Sequence, residues 1–193
     1  MSDETLTHAV TRPQPEAWAL AAGHCPVINS DTRPPLEAVG KLIGIHASRH
    51  WIGIDEAKAL EPALGRKVTT PEVMAMQVRG ALVGVARLVG VVRRSSPHER
   101  ERLGYGEFRS ILGRGGVTCE VSEDDAAKIR PWVPTHGAKW LLFFRDAVLL
   151  PEPIPMRGAG GLWRIPFDAA WRPEEEGPAD FALRQWQKAR ATR

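Results

Sequence analysis

At 193 residues, 43% of them apolar and 25% charged, the chain has the composition of an ordinary globular protein with one real core. A net charge of +3 leans mildly toward polyanionic partners, and two cysteines, Cys25 and Cys119, exclude a disulfide framework. No apolar run approaches the roughly 20 residues of a membrane span, and the opening M-S-D-E-T-L-T-H holds no apolar signal region. The expectation is a reduced, cytoplasmic setting with no membrane.

Residues 1–14 are polar and end among Pro13 and Pro15, which predicts a flexible arm. Pro15 to Gly23 reads as a short helix, with proline in its first turn, Trp18 as anchor and Gly23 as stop. After a turn-rich stretch, Val39 to Ala47 reads as a strand. A helix from Asp55 to about Leu64, closed by Gly65, and another capped by Thr70 follow. Gly80 to Val92 (G-A-L-V-G-V-A-R-L-V-G-V-V) is the centre of the chain. Its β-branched valines and three glycines make a poor helix, so it predicts a long buried strand that bends.

Beyond Arg93 the apolar density falls, and residues 93–116 read as an exposed excursion. From Arg87 to Arg114, seven arginines (87, 93, 94, 100, 102, 109, 114) stand against three glutamates (99, 101, 107). Val117 to Val121 predicts an edge strand and Ser122 to Ile129 a short helix. Trp140 to Leu150 is a second apolar strand with a turn at Arg145-Asp146, Pro151 to Gly158 a connection, and Gly161 to Pro166 a closing strand. Residues 171–193 form a tail whose Phe181, Leu183 and Trp186 mark a short amphipathic helix.

With these segments in order, the chain resembles the ASCH domain, a branch of the PUA-like folds. Ala17–Gly23 (A-W-A-L-A-A-G), Leu42–Ser48 (L-I-G-I-H-A-S), the Gly80–Val92 strand and Lys139–Pro166 carry the resemblance. It implies an α+β fold, a small mixed β-barrel with flanking helices over residues 15–170, that binds RNA or nucleotides. Some members look like hydrolases, using a G-x-K-x-x-E-x-R motif after the first helix. Here that motif is degenerate: Gly23 is kept, but Cys25 replaces the lysine, Ile28 the acid and Ser30 the arginine, while Asn29 matches the asparagine of the E-N-R version of the motif. Amide hydrolysis needs a base and a cation for the developing charge. With both positions altered, binding is the inference and catalysis is not.

The candidate binding residues are Asn29, Arg33, Lys41, His46, Arg87, Arg93, Arg94, Arg157 and Trp163. Arg33 or Lys41 could supply the missing cation. His46 is either a hydrogen-bonding contact for a base or phosphate, or a core histidine satisfied by backbone. Arg87, alone among valines, must face a cleft or pair with an acid. Arg157-Gly158 with Trp163 joins a forked phosphate donor to a stacking face. Arg93 and Arg94 open the arginine-rich excursion, where Tyr105 and Phe108 are the aromatic residues. His46 and His50 lack a third ligand for a metal, and Cys25 beside His24 reads as a structural thiol. No Walker or Rossmann pattern is intact, so no cofactor is expected. The leading expectation is nucleic-acid binding, RNA first, through a basic cleft. The alternatives are a hydrolase of modified nucleosides or RNA with a rebuilt site (His24, Cys25, Lys41, His46) and a module for an acidic protein partner.

Overall fold

The computed structural model describes residues 6–50, 52–103, 108–112, 117–120, 127, 132, 139–165 and 177–191. The fold is α+β. A mixed sheet follows the path β2 (Val27–Ser30), β7 (Trp140–Pro155), β4 (Ala81–Arg94), β3 (Leu42–Ala47), β1 (Leu6–Arg12) and β8 (Leu162–Arg164). Strand β5 (Phe108–Leu112) pairs with β4, and β6 (Val117–Glu120) with β5. Among the described residues, no helix is long and apolar enough to cross a membrane.

The chain divides into two compact units. The first comprises Met1–Cys25, Lys41–Arg87 and Asp146–Arg193. In it β1 runs parallel to β3, Val10 opposite Ile45, and antiparallel to β8, Ala9 opposite Trp163. Leu6–Arg12 is therefore an interior strand where the sequence predicts a loose arm. Leu6, Ala9 and Val10 bury enough apolar surface to hold it there. Strand β3 is buried along its whole length and pairs antiparallel with β4, with a register shift at Ile45/His46 that bends the ribbon. The predicted central strand is present as β4. Its Gly84 faces α1 (Glu16–Ala21) so closely that a Cβ there would lie 2.4 Å from the Ala21 Cβ.

Helix α1 buries Ala17 through Ala21 and ends as the sequence predicts. Gly23 takes φ +79°, which lets the His24 and Cys25 N–H groups both donate to the Ala19 carbonyl at 2.9 and 3.0 Å. The single helix expected over 55–64 is two, α2 (Ile54–Lys58) and α3 (Glu61–Leu64), since Pro62 cannot donate to a continuing ladder. Gly53 caps the first of them, not Asp55. Helix α4 (Thr70–Ala75) is capped one residue earlier than expected, by Thr69, whose N–H and hydroxyl both donate to Glu72 at 2.8 and 2.9 Å. Helix α6 (Pro178–Ala191) places Ala182 and Trp186 in the core with Leu42, Leu82, Val85, Val148 and Ile154. Trp186 is 1% exposed, and burial of one such ring is worth roughly 4–6 kcal/mol.

The second unit comprises Pro26–Gly40 and Leu88–Arg145. One cluster of its core joins Val27, Val92 and Leu141, with Phe143 packed against them, and Leu88, Val91 and Leu142 are buried as well. Within the excursion expected after Arg93, residues 93–94, 97–103 and 108–112 lie in regular elements. Strand β4 reaches Arg94, opposite Phe108 of β5, and α5 (Pro97–Leu103) intervenes. That helix opens on a reciprocal capping box: Ser96 N–H donates to Glu99 at 2.9 Å and Glu99 N–H to the Ser96 hydroxyl at 3.2 Å. Tyr105, Arg114, Trp171 and nearly all of the helix expected at 122–129 lie outside the described residues.

Candidate nucleic-acid interface

In the first unit, the ends of four strands are tied together around Gly80. Ala47, the last residue of β3, pairs with Arg12 at the end of β1 and with Ala81 at the start of β4. Gly80, at φ +62°, donates its N–H to the Ala47 carbonyl at 2.8 Å, and its own carbonyl accepts from Met156 N–H, just past β7, at 3.0 Å. This brings Arg12, Arg49, Arg79 and Arg157 to one end of the sheet. Arg12 is held by Glu16, its Nε donating at 3.0 Å. The stem of Arg49 lies across Gly80, where a Cβ would come within 3.3 Å of the arginine Cγ. Arg49, Arg79 and Arg157 are exposed, and among the described residues none of their guanidinium groups meets an acid. Three forked donors on a hydrogen-bonded rim attract phosphate oxygens.

Beneath the rim lies a closed hydrogen-bonded relay. His46 is 2% exposed. Its Nε2 is 3.1 Å from the Met156 carbonyl, which can only accept, so Nε2 carries the proton. Its Nδ1 is 3.3 Å from the Thr11 hydroxyl, and the Trp163 indole N–H donates to that same hydroxyl at 2.9 Å. The pattern is complete with neutral histidine: tryptophan donates to threonine, threonine to Nδ1, and Nε2–H to Met156. Burial pushes the His46 pKa down, against the opposing effect of the Met156 carbonyl, and the Arg49 charge lowers it further. The Trp163 ring stands edge-on to the imidazole with centroids 5.9 Å apart. Gly158 lies directly on this assembly, where a Cβ would fall 2.4 Å from His46 Cε1 and 2.8 Å from Thr11 Oγ1.

The structure thus gathers His46, Arg157 and Trp163 from the candidate residues and adds Arg49, Arg79 and Thr11, which sequence reasoning passed over. The cue for Arg49 and Arg79 is local. Each follows or precedes a strand end at which a glycine or serine lets the chain turn. Of the two readings of His46, the structure has the satisfied one, with both ring nitrogens on protein partners.

The other candidates lie elsewhere. Lys41 is exposed just before β3, five residues and so roughly 16 Å along an extended strand from His46. Arg87 pairs in register with Leu42, toward that same far end. It forms a structural ion pair, Nε to Asp146 Oδ2 at 3.8 Å, with its guanidinium 6.0 Å from the centre of the Trp186 ring. In the second unit, Asn29 pairs with Leu141 in the β2–β7 ladder, and Arg93 donates to Glu99 at 2.6 Å. The Arg94 N–H donates to the Lys139 carbonyl at 2.9 Å. Arg33 stands 5.7 Å over the Trp140 ring and, with Pro34, Pro35, Leu36 and Glu37, lines a cavity of about 600 Å³. At the degenerate motif positions, Cys25 and Ile28 are 6% and 3% exposed. Each packs as an apolar residue where the hydrolytic motif needs an accessible charge. His24 stacks at a tilt on Trp18, 5.1 Å between centroids.

No known protein family's pattern matches this sequence, and no curated protein matches it. Among solved structures, the chain is similar to an ASCH protein from Zymomonas mobilis, at 16% identity over 86% of this chain and 90% of the other, with a TM-score of 0.44. It is also similar to two point mutants of the Zymomonas mobilis protein. One is 13% identical, covering 100% and 98% of the two chains, TM-score 0.43. The other is 14% identical, covering 98% and 98%, TM-score 0.42. These name the family that the sequence resembles.

Proposed function

We propose that this chain binds nucleic acid, RNA first, through the arginine rim of the first unit, with the cytoplasm as its compartment. The observation that carries the reading is the set of three exposed guanidinium groups, Arg49, Arg79 and Arg157, held by strand ends and facing no described acid. Backbone phosphates supply the complementary charge, and counterion release makes such binding favourable at low salt. Arginines on a rim fix register on a phosphate backbone more than they read base edges. Recognition by this surface is therefore of strand type and shape. RNA takes precedence over DNA because exposed, unstacked bases and the 2′-hydroxyl are what such proteins distinguish. The buried character of Cys25 and Ile28 supports binding over hydrolysis.

The test is a salt titration of affinity for short single-stranded RNA, duplex RNA and DNA of matched length. Arg49→Ala, Arg79→Ala and Arg157→Ala combined should flatten the slope of log K against log salt by about 2 for a single strand. An unchanged slope in the triple variant sinks the rim as the interface. If the wild-type chain fails to bind any of the three at low salt, the reading itself is lost.

A further inference from the structure

We propose that Thr11 and His46 are positioning residues for Arg157, forming the seat on which Gly158 lies and so fixing where the neighbouring guanidinium is presented. This rests on the nucleic-acid reading above and deepens it.

The argument starts from the loop. Residues 156–161, M-R-G-A-G-G, join β7 to β8 with no regular structure, and half of them are glycine. Glycine has the most backbone freedom to lose, so an arginine on such a loop would pay for its own ordering each time it met a phosphate. The structure ties this loop down at three points. The Met156 carbonyl accepts from His46 Nε2 at 3.1 Å. Gly158 has no room for a side chain against His46 and Thr11. The Gly161 carbonyl accepts from Thr11 N–H at 3.4 Å. The donors come from β1 and β3, which are paired in register at Thr11 and His46. Trp163 completes the seat by donating to the threonine hydroxyl at 2.9 Å. Arg157 is therefore anchored on both sides by groups that never touch the ligand. Preorganisation of this kind removes an ordering cost at binding, worth about two- to tenfold in affinity for one long side chain.

The experiment compares Thr11→Val, Thr11→Ser, His46→Gln, Arg157→Ala and the Thr11→Val/Arg157→Ala double variant. Two readouts are taken. One is affinity for a short single-stranded RNA. The other is trypsin cleavage after Arg157 in the unliganded chain, followed by mass. Thr11→Val should speed cleavage at Arg157 selectively and weaken binding about two- to tenfold. Thr11→Ser and His46→Gln, which keep a hydroxyl and an Nε donor, should stay near wild type. In the Arg157→Ala background, Thr11→Val should cost nothing more, because it acts through the residue already removed. The proposal is overturned if Thr11→Val leaves cleavage and affinity unchanged, if its loss adds in full to that of Arg157→Ala, or if cleavage rises alike at every arginine. Binding with unaltered cleavage overturns the seat alone. A wild-type chain that binds no RNA overturns the nucleic-acid reading and this role with it.

Discussion

The Trp186 indole N–H donates to the Asp146 carbonyl at 3.0 Å, tying the last helix to the one residue of β7 with a left-handed backbone, φ +52°. Arg87 closes the group, paired with the Asp146 carboxylate at 3.8 Å. Trp186→Ala should destabilise the fold by about 3–5 kcal/mol through the cavity it leaves. Trp186→Phe should cost about 1–3 kcal/mol, chiefly for the orphaned carbonyl. Denaturant titration would measure both, and a smaller loss for alanine than for phenylalanine would refute this ordering.

Gly84 tolerates no side chain. A Cβ would sit 2.4 Å from the Ala21 Cβ and 3.0 Å from the Val148 carbonyl oxygen, both fixed by regular structure. Gly84→Ala should cost about 1–3 kcal/mol by overpacking, and Ala21→Gly should recover part of it. Failure of the second change to rescue the first would place the strain elsewhere.

Stability should depend on pH through His46. Its folded pKa lies below the ordinary 6.5, so the unfolded chain binds the proton more readily. The contribution of neutral His46 is complete above pH 6.5 and is lost as pH falls from there through the folded value. His46→Gln should remove this part of the pH profile. Midpoints of urea unfolding between pH 7.5 and 5 report it, and identical profiles for the two proteins would show that folding does not lower the proton affinity of His46.

Glu72 titrates in another window. The Arg66 guanidinium, donating at 2.6 and 3.0 Å, together with the Thr69 donors, holds its carboxyl at about 2. The stabilisation is present above the unfolded value of 4.5 and disappears as pH falls through about 2. Arg66 is largely exposed, so water screens most of the ion pair. Glu72→Gln, whose amide oxygen still accepts from Thr69, should therefore cost only about 0.2–1 kcal/mol for the lost charge, and Glu72→Ala should cost about 1 kcal/mol more for the capping box. A loss no greater in Glu72→Ala than in Glu72→Gln would show that the cap contributes nothing beyond charge.

Much of the fold was legible where composition and steric constraint agree. Valines with glycines gave β4, and Gly23 gave the end of α1. Strand β1 was not legible, because L-T-H-A-V-T-R alternates weakly and two prolines follow it at once. Strand β7 runs on through P-E-P-I-P to Pro155, where the prolines suggested a connection. They fall at 151, 153 and 155, so every missing N–H lies on the same edge of the strand. Between them, the Glu152 N–H donates to the Gln185 side chain at 3.4 Å. The sequence flagged Arg87 and the need for an acid, but Asp146 is brought to it only by the fold. Arginine density drew attention to 93–114, yet Arg93 is spent on Glu99. Arg49 and Arg79 are single residues beside strand ends, and only the register of β1, β3 and β4 reveals that they share a rim.

The position of β1 between β3 and β8 also sets an order of events during synthesis. Its parallel partner, Leu42–Ala47, follows within a few dozen residues, but Leu162–Arg164 leaves the ribosome about 150 residues later. At about 5–20 residues per second that is a delay on the order of ten seconds or more. For that interval one flank of β1 is an open template for another chain's strand. The seam between β1 and β8 is therefore the last edge of this ribbon to close.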